Sequence, residues 1–279
     1  MSRISPTNFE IDISNKEAFG MCLDKIFCLT SETYRQNSMD VIMDELYLEV
    51  NKLFNEGKKI PNIINNFLSK HNKSARDVFY WLLSHKNKPE YNCILGFFYC
   101  WKIGTKRTKE NVYDLFLNAA KDEDIAKFFV GKCYEEGWNV KKNKTKAIEW
   151  YIKAGECAAA GYALGFHYYK KQKYYDAFKW LKNSAEKRNI MALHTLGLCY
   201  QKGYGTKIDA NKGFESFRQA AKMGLPDSQY KLAQCYEYGK GTEKGLDKAS
   251  YWYQKAISNK YKCYNDSERV RHKLRNEMR

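Results

Sequence analysis

Apolar side chains recur at helical spacing along most of this chain, and the pattern repeats itself. "ALHTLGLCYQKGYGTKIDANKGFESFRQAA" (residues 192–221) and "SQYKLAQCYEYGKGTEKGLDKASYWYQKAI" (228–257) share one phrase. In that phrase a small residue, an apolar residue, a second small residue and a Tyr stand at fixed offsets, ahead of Gly-x-Gly and a second helical segment. The same columns occur five times. The Tyr column is Tyr99, Tyr134, Tyr168, Tyr200 and Tyr236, and three residues earlier stand Gly96, Gly131, Gly165, Gly197 and Ala233. In the second segment a small column runs Ala119, Ala154, Ser184, Ala220 and Ala256. Four residues before it stand Leu115, Trp150, Trp180, Ser216 and Trp252.

Each copy predicts a pair of antiparallel helices. Small residues let the two helices approach, and large rings fill the space beside them. One hairpin cannot bury both of its apolar faces, so neighbours must stack. Gly203 with Gly205, and Gly239 with Gly241, stand where the first helix must stop, because Gly tolerates a left-handed backbone. Asn143 and Asp209 suit the N-caps of the second helices. The third copy is short. From Tyr168 to Ala177 is nine residues, against thirteen in the other copies, and "KKQK" replaces the Gly-x-Gly loop.

The predicted fold is an all-α, right-handed α-solenoid of five hairpins, at about 91–125, 126–159, 160–191, 192–227 and 228–261. Residues 37–90 are expected to form helices that cap its N-terminal end. Ile42, Leu46, Val50 and Leu53 share one face, Gly57 ends that helix, Pro61 opens the next, and Ser74 with Asp77 begins a third. Residues 1–36 read as a tail or one short helix, and residues 262–279 as a basic capping helix through Val270, Leu274 and Met278.

These phrases resemble the SEL-one-like repeat (SLR), a relative of the tetratricopeptide repeat. The resemblance rests on "ALHTLGLCYQKGYG" with "DANKGFESFRQAA", and on "AKFFVGKCYEEG" with "NKTKAIEWYIKAG". It covers residues 91–261 and is similar to the repeat regions of fungal SLR proteins that also carry a protein kinase domain. The first copy departs most, with Tyr91 at the Ala position and Lys102 at a loop Gly. No His-Arg-Asp, Asp-Phe-Gly or kinase Gly-rich loop is present in this chain. The resemblance implies a protein-binding scaffold, used by family members in signalling assemblies, chitin synthase regulation and quality control at the endoplasmic reticulum.

Composition narrows this reading. No stretch approaches eighteen apolar residues, so no transmembrane helix is expected. The first twenty residues lack the apolar region of a signal peptide, and nine cysteines without a CxxC pair suit a reduced, cytoplasmic protein. Cys133, Cys199 and Cys235 share one column. Stacked helices hold such positions roughly 8–10 Å apart, beyond the about 7 Å a disulfide allows, so free core thiols are expected. "GYGTKI" lacks the third Gly of a phosphate loop and follows a helix. The five His are scattered. Neither a metal site, a cofactor nor a catalytic constellation is expected.

The formal charge is +16, and all of it lies in residues 91–279, which carry 36 basic and 20 acidic side chains. An acidic partner is therefore expected. By analogy with tetratricopeptide proteins, the first helix of each hairpin lines a partner groove. That nominates Phe97, Phe128, Lys132, Tyr162, Phe166, Tyr169, His194, Leu198, Tyr230 and Gln234, a run of rings with intermittent charge that suits a peptide or helix of a partner protein. A stripe of rings at this spacing is equally what a hairpin core needs. The function expected is a non-enzymatic adaptor in intracellular signalling. The alternative is a nucleic-acid-binding helical repeat using the basic half.

Overall fold

The computed structural model describes residues 38–86, 88–106 and 111–259. The expectations for residues 1–36 and 262–279 fall outside them. The chain divides into two units, residues 1–46 and 47–279, and the boundary falls within the first described helix. Every described element is helical: α1 (Met39–Asn55), α2 (Ile60–Lys70), α3 (Ala75–Ser84), α4 (Pro89–Trp101), α5 (Val112–Ala119), α6 (Asp124–Glu136), α7 (Lys144–Lys153), α8 (Ala158–Lys170), α9 (Tyr174–Glu186), α10 (Ile190–Lys202), α11 (Ala210–Lys222), α12 (Pro226–Tyr238) and α13 (Leu246–Ser258).

From α4 to α13 the helices pair as α4/α5, α6/α7, α8/α9, α10/α11 and α12/α13, and each pair packs on the next, so the described chain is a helical-repeat solenoid. The caps expected at Asn143, Asp209, Gly203 and Gly239 form, and Asn111 and Gly137 act alike: Asn111, Asn143 and Asp209 accept from the backbone N–H three residues on, and Gly137, Gly203 and Gly239 close α6, α10 and α12 in the left-handed region. Lys102 takes the left-handed position after α4 that Gly takes elsewhere. Ser74 caps α3 through the Asp77 N–H.

Within each hairpin one side chain of the second helix drops into a notch in the first. A β-carbon at Gly96 would lie 2.7 Å from the Phe116 ring, at Gly131 2.6 Å from Tyr151, at Gly165 2.7 Å from Leu181 and at Gly197 2.7 Å from Phe217. In the fifth hairpin Ala233 shares a core cluster with Tyr253. Where the inserted residue is Tyr, its hydroxyl reaches a carboxylate four residues past the notch. Tyr151 Oη donates to Glu135 at 2.8 Å, and Tyr253 Oη to Glu237 at 2.5 Å. Where it is Phe, that place holds Cys100 or Gln201.

The second loop glycine joins neighbouring hairpins. A β-carbon at Gly205 would lie 2.1 Å from the Tyr174 carbonyl oxygen, and one at Gly241 2.0 Å from that of Ala210. In both cases the loop rests on the first residue of the preceding hairpin's second helix. A β-carbon at Gly104 would lie 2.2 Å from the Ala75 carbonyl oxygen in the same way, so α3 stands to the first hairpin as a second helix stands to the next. Helices α2 and α3 both pack on α4.

Helix α1 does something else. From Tyr47 onward it crosses the starts of α6, α8 and α10, rather than ending on the first hairpin. The Tyr47 hydroxyl donates to Glu123, the N-cap residue of α6. The Phe54 ring lies 5.5 Å from Phe128 and 5.4 Å from Phe129. Asn55 Oδ1 accepts from the Ala158 N–H at 2.8 Å, a cap for α8 that its own N-cap residue Cys157 does not supply. Asn189 Nδ2 donates to the Asn55 carbonyl at 3.1 Å, and the Ile190 N–H donates to the Glu56 carbonyl at 3.3 Å. The last carbonyls of one helix thus meet the first donors of another, which satisfies both.

Hairpins four and five meet at His194, whose Nδ1 lies 2.8 Å from Ser228 Oγ and whose ring faces Phe217. Burial pushes the imidazole pKa down to about 4, with Lys231 acting the same way and Asp227 opposing.

Two outcomes follow. Gly197→Ala is expected to cost about 1–3 kcal/mol in urea unfolding through overpacking on Phe217. Gly155→Ala, whose β-carbon would meet nothing nearer than 4.0 Å, is expected to cost less than about 0.5 kcal/mol. Above about pH 6.5 His194 is neutral folded and unfolded, so it adds no pH dependence there. Between pH 6.5 and 4 the unfolded chain takes the proton first, and stability falls by about 1–3 kcal/mol as pH drops. Unfolding of His194→Gln across that window should show a flatter slope.

Candidate functional site

The ten nominated residues separate into three places. Phe97 is 0% exposed and Phe128 8%, and both lie in a ring cluster with Phe116, Phe129 and Phe54. They are hairpin core, covered in part by α1, and do not line an open groove. Tyr230 is 7% exposed against Tyr253 and is likewise core. His194 is held at the junction of the last two hairpins, and Leu198 packs half-buried on the cluster around Phe217 and Leu232. Gln234 Oε1 accepts from Lys231 Nζ at 3.1 Å. Lys132, expected as a steering charge, is paired along its own helix with Glu135 at 2.6 Å and Glu136 at 3.1 Å.

The remaining three, Tyr162, Phe166 and Tyr169, form a row on α8. Tyr162 and Phe166 stack 5.7 Å apart, and Phe166 and Tyr169 lie 6.5 Å apart with planes 6° from parallel. The row continues into residues the sequence reading passed over. Tyr169 meets Tyr204 at 5.8 Å, and Tyr204 stacks on Tyr174 at 4.3 Å and 9°. Tyr204 sits between Gly203 and Gly205, so the loop that rests on α9 also delivers this ring. All five rings are half-buried. Lys170 Nζ lies 4.6 Å over the Phe166 ring.

The row's position follows from the short third hairpin. Without a Gly-x-Gly loop, α8 runs into α9 through one tight turn, with Gln172 left-handed and Lys173 N–H donating to the Tyr168 carbonyl. Tyr168 and Phe178 pack on a core cluster shared by the third and fourth hairpins, and Tyr162, Tyr169 and Tyr204 of the row border the same cluster.

Much of the Tyr and Lys richness is absorbed within the chain. Lys146 lies 5.3 Å over Tyr134, Lys212 5.8 Å over Tyr200 and Lys248 5.6 Å over Tyr236, twelve residues apart each time. These cations cover ring faces that a stacked base would need. The six described cysteines are free thiols, and burial raises the pKa of each. Raised thiols are poor nucleophiles. Among the described residues no group of His, Cys, Asp or Glu could hold a metal ion, and no helix is long and apolar enough to cross a membrane.

Comparison with known proteins places the repeats. The Sel1 repeat family model matches residues 124–158, 190–225 and 226–261, passing over the first hairpin and the short third one. Chitin synthase regulatory factor 3 of Schizosaccharomyces pombe is 25% identical over 188 residues, 62% of this chain and 20% of that protein. A sel1-like repeat-containing protein of Acanthamoeba polyphaga mimivirus is 29% identical over 145 residues, 50% of this chain and 27% of that protein. The chain thus spans between a fifth and about a quarter of the length of these relatives. The crystal structure of a Sel1 repeat protein from Oxalobacter formigenes matches with TM-score 0.61 and 28% identity, over 69% of this chain and 80% of that one. The hairpin geometry and these matches identify Sel1 repeats in residues 124–158, 190–225 and 226–261, carried on the fold of that solved structure.

Proposed function

We propose that this chain is a non-enzymatic adaptor that holds a peptide or helix of a partner protein on the ring row of α8, in intracellular signalling or in control of a partner enzyme. Sel1-repeat proteins are in general protein-interaction scaffolds, and a relative named for chitin synthase regulation makes an enzyme partner a natural choice. The observation that carries the reading is the continuous, half-buried row Tyr162–Phe166–Tyr169–Tyr204–Tyr174. Rings of this kind anchor partners because they offer large rigid area at small entropic cost. The seat of α1 supports a helical ligand. It is a helix laid across first helices of successive hairpins, held by one ring and by helix-end hydrogen bonds.

Affinity capture with the intact chain, with nuclease-treated and untreated inputs in parallel, tests this. Replacing Phe166, Tyr169 and Tyr162 by Ala is expected to reduce recovery of the captured protein by about tenfold or more, with helicity by circular dichroism unchanged. Undiminished capture by that variant, or capture that vanishes with nuclease, contradicts the reading.

A further inference from the structure

The missing loop of the third hairpin leaves a mark on its neighbour. In the second, fourth and fifth hairpins the loop after the first helix covers the start of the preceding second helix. Gly205 rests on Tyr174 and Gly241 on Ala210. In the second hairpin Asn139, also left-handed, accepts from the Val112 N–H at 3.1 Å. The start of α7, at Lys144, would be covered by the loop of the third hairpin, and "KKQK" is too short to do it. There a cavity of about 400 Å³ opens between α7 and α8. The junction of these two helices is also the sparsest of the four between successive hairpins.

Its floor is apolar, with Ile148 and Phe166 among the lining side chains, and its rim carries Lys144, His167, Lys170 and Lys171. The one carboxylate on the wall, Glu135, is already engaged by Lys132 Nζ at 2.6 Å and Tyr151 Oη at 2.8 Å. The surplus at the rim is therefore positive. His167 registers it: its pKa is lowered by burial first, then by Lys171 and Lys144.

We infer that this cavity is a binding site for an acidic peptide segment of a partner protein, with an aliphatic or aromatic side chain in the cavity and flanking carboxylates on Lys144, Lys170 and Lys171. The inference rests on the protein-binding reading above and adds a chemical class for the ligand. Charge complementarity selects the occupant, since the exposed Lys144 and Lys171 ammonium groups, with Lys170 lying over the Phe166 ring, stand beside an apolar lining of the size that takes one large side chain. Phe166 belongs to both features, so a segment lying along the ring row is placed to set one residue into the cavity.

The test uses the full chain and a fluorescein-labelled peptide, Glu-Asp-Glu-Leu-Phe-Glu-Asp-Glu, read by anisotropy, with a Lys-for-acid counterpart. Two variants address the cavity independently. One is Lys144→Gln with Lys171→Gln. The other replaces residues 171–173 with the seven residues 203–209, restoring a covering loop, so that misfolding of one leaves the other informative. Saturable binding of the acidic peptide alone is expected. Its Kd should rise about tenfold or more in each folded cavity variant, and less than about twofold in Lys207→Gln with Lys244→Gln, two loop lysines elsewhere. The inference is overturned by absence of saturable binding, by equal loss in the loop-lysine control, or by displacement with about 10 mM inorganic phosphate, which would mark a plain anion site. If the cavity variants keep the peptide while the ring variant still loses its captured protein, this inference fails and the adaptor reading stands.

Discussion

The notch in the first helix of each hairpin is the contact on which the rest depends. Where Gly stands at 96, 131, 165 and 197, a helix backbone has no side chain between it and a large residue of its partner helix. Each inserted residue gains burial, and the helix pair gains a fixed spacing and register. Given that register, the loop at the far end of each hairpin falls on the start of the previous second helix, and the stack propagates. Inserted Tyr goes with a Glu four residues past the notch, as at Tyr151 with Glu135 and Tyr253 with Glu237. Buried hydroxyls need an acceptor, so the two positions have to be chosen together.

Two departures from that regular plan create the surfaces on which the functional reading rests. The first is the four-residue loss in the third hairpin. The core columns are untouched, so the hairpin still forms, and the effect is felt across the junction, where α7 is left uncovered. The second is α1. Its last turn supplies caps to α8 and α10, and its Phe54 covers Phe128. A chain segment already satisfies the helix starts there, and the row on α8 is the stretch of nominated first-helix rings that stays half-buried and mutually stacked.

The hairpins were readable because their determinants are local and periodic. Gly203, Gly205, Asp209 and the Tyr and Ala columns each act within one repeat. The column that fills the notch, Phe116, Tyr151, Leu181, Phe217 and Tyr253, was overlooked in favour of the Trp-rich position one residue earlier. Periodicity states which residues share a helix face, but not what covers that face. That is why Phe97, Phe128 and Tyr230 were nominated for contact and turned out to be core. Lys132 was a different kind of miss, since Glu135 and Glu136 at i+3 and i+4 already offered it partners. The seat of α1 joins residues 103 and 134 apart through single hydrogen bonds. Contacts of that kind leave no repeat in a sequence.

The most direct measurement is a double-mutant cycle across one notch. Gly197→Ala is made alone and in a Phe217→Ala background, and unfolding free energies are compared. If the ring in the notch sets the helix approach, the Ala costs less than about 0.5 kcal/mol once the ring is gone, giving a coupling of about 1 kcal/mol or more. Additive effects, with Gly197→Ala equally costly in both backgrounds, would contradict the account.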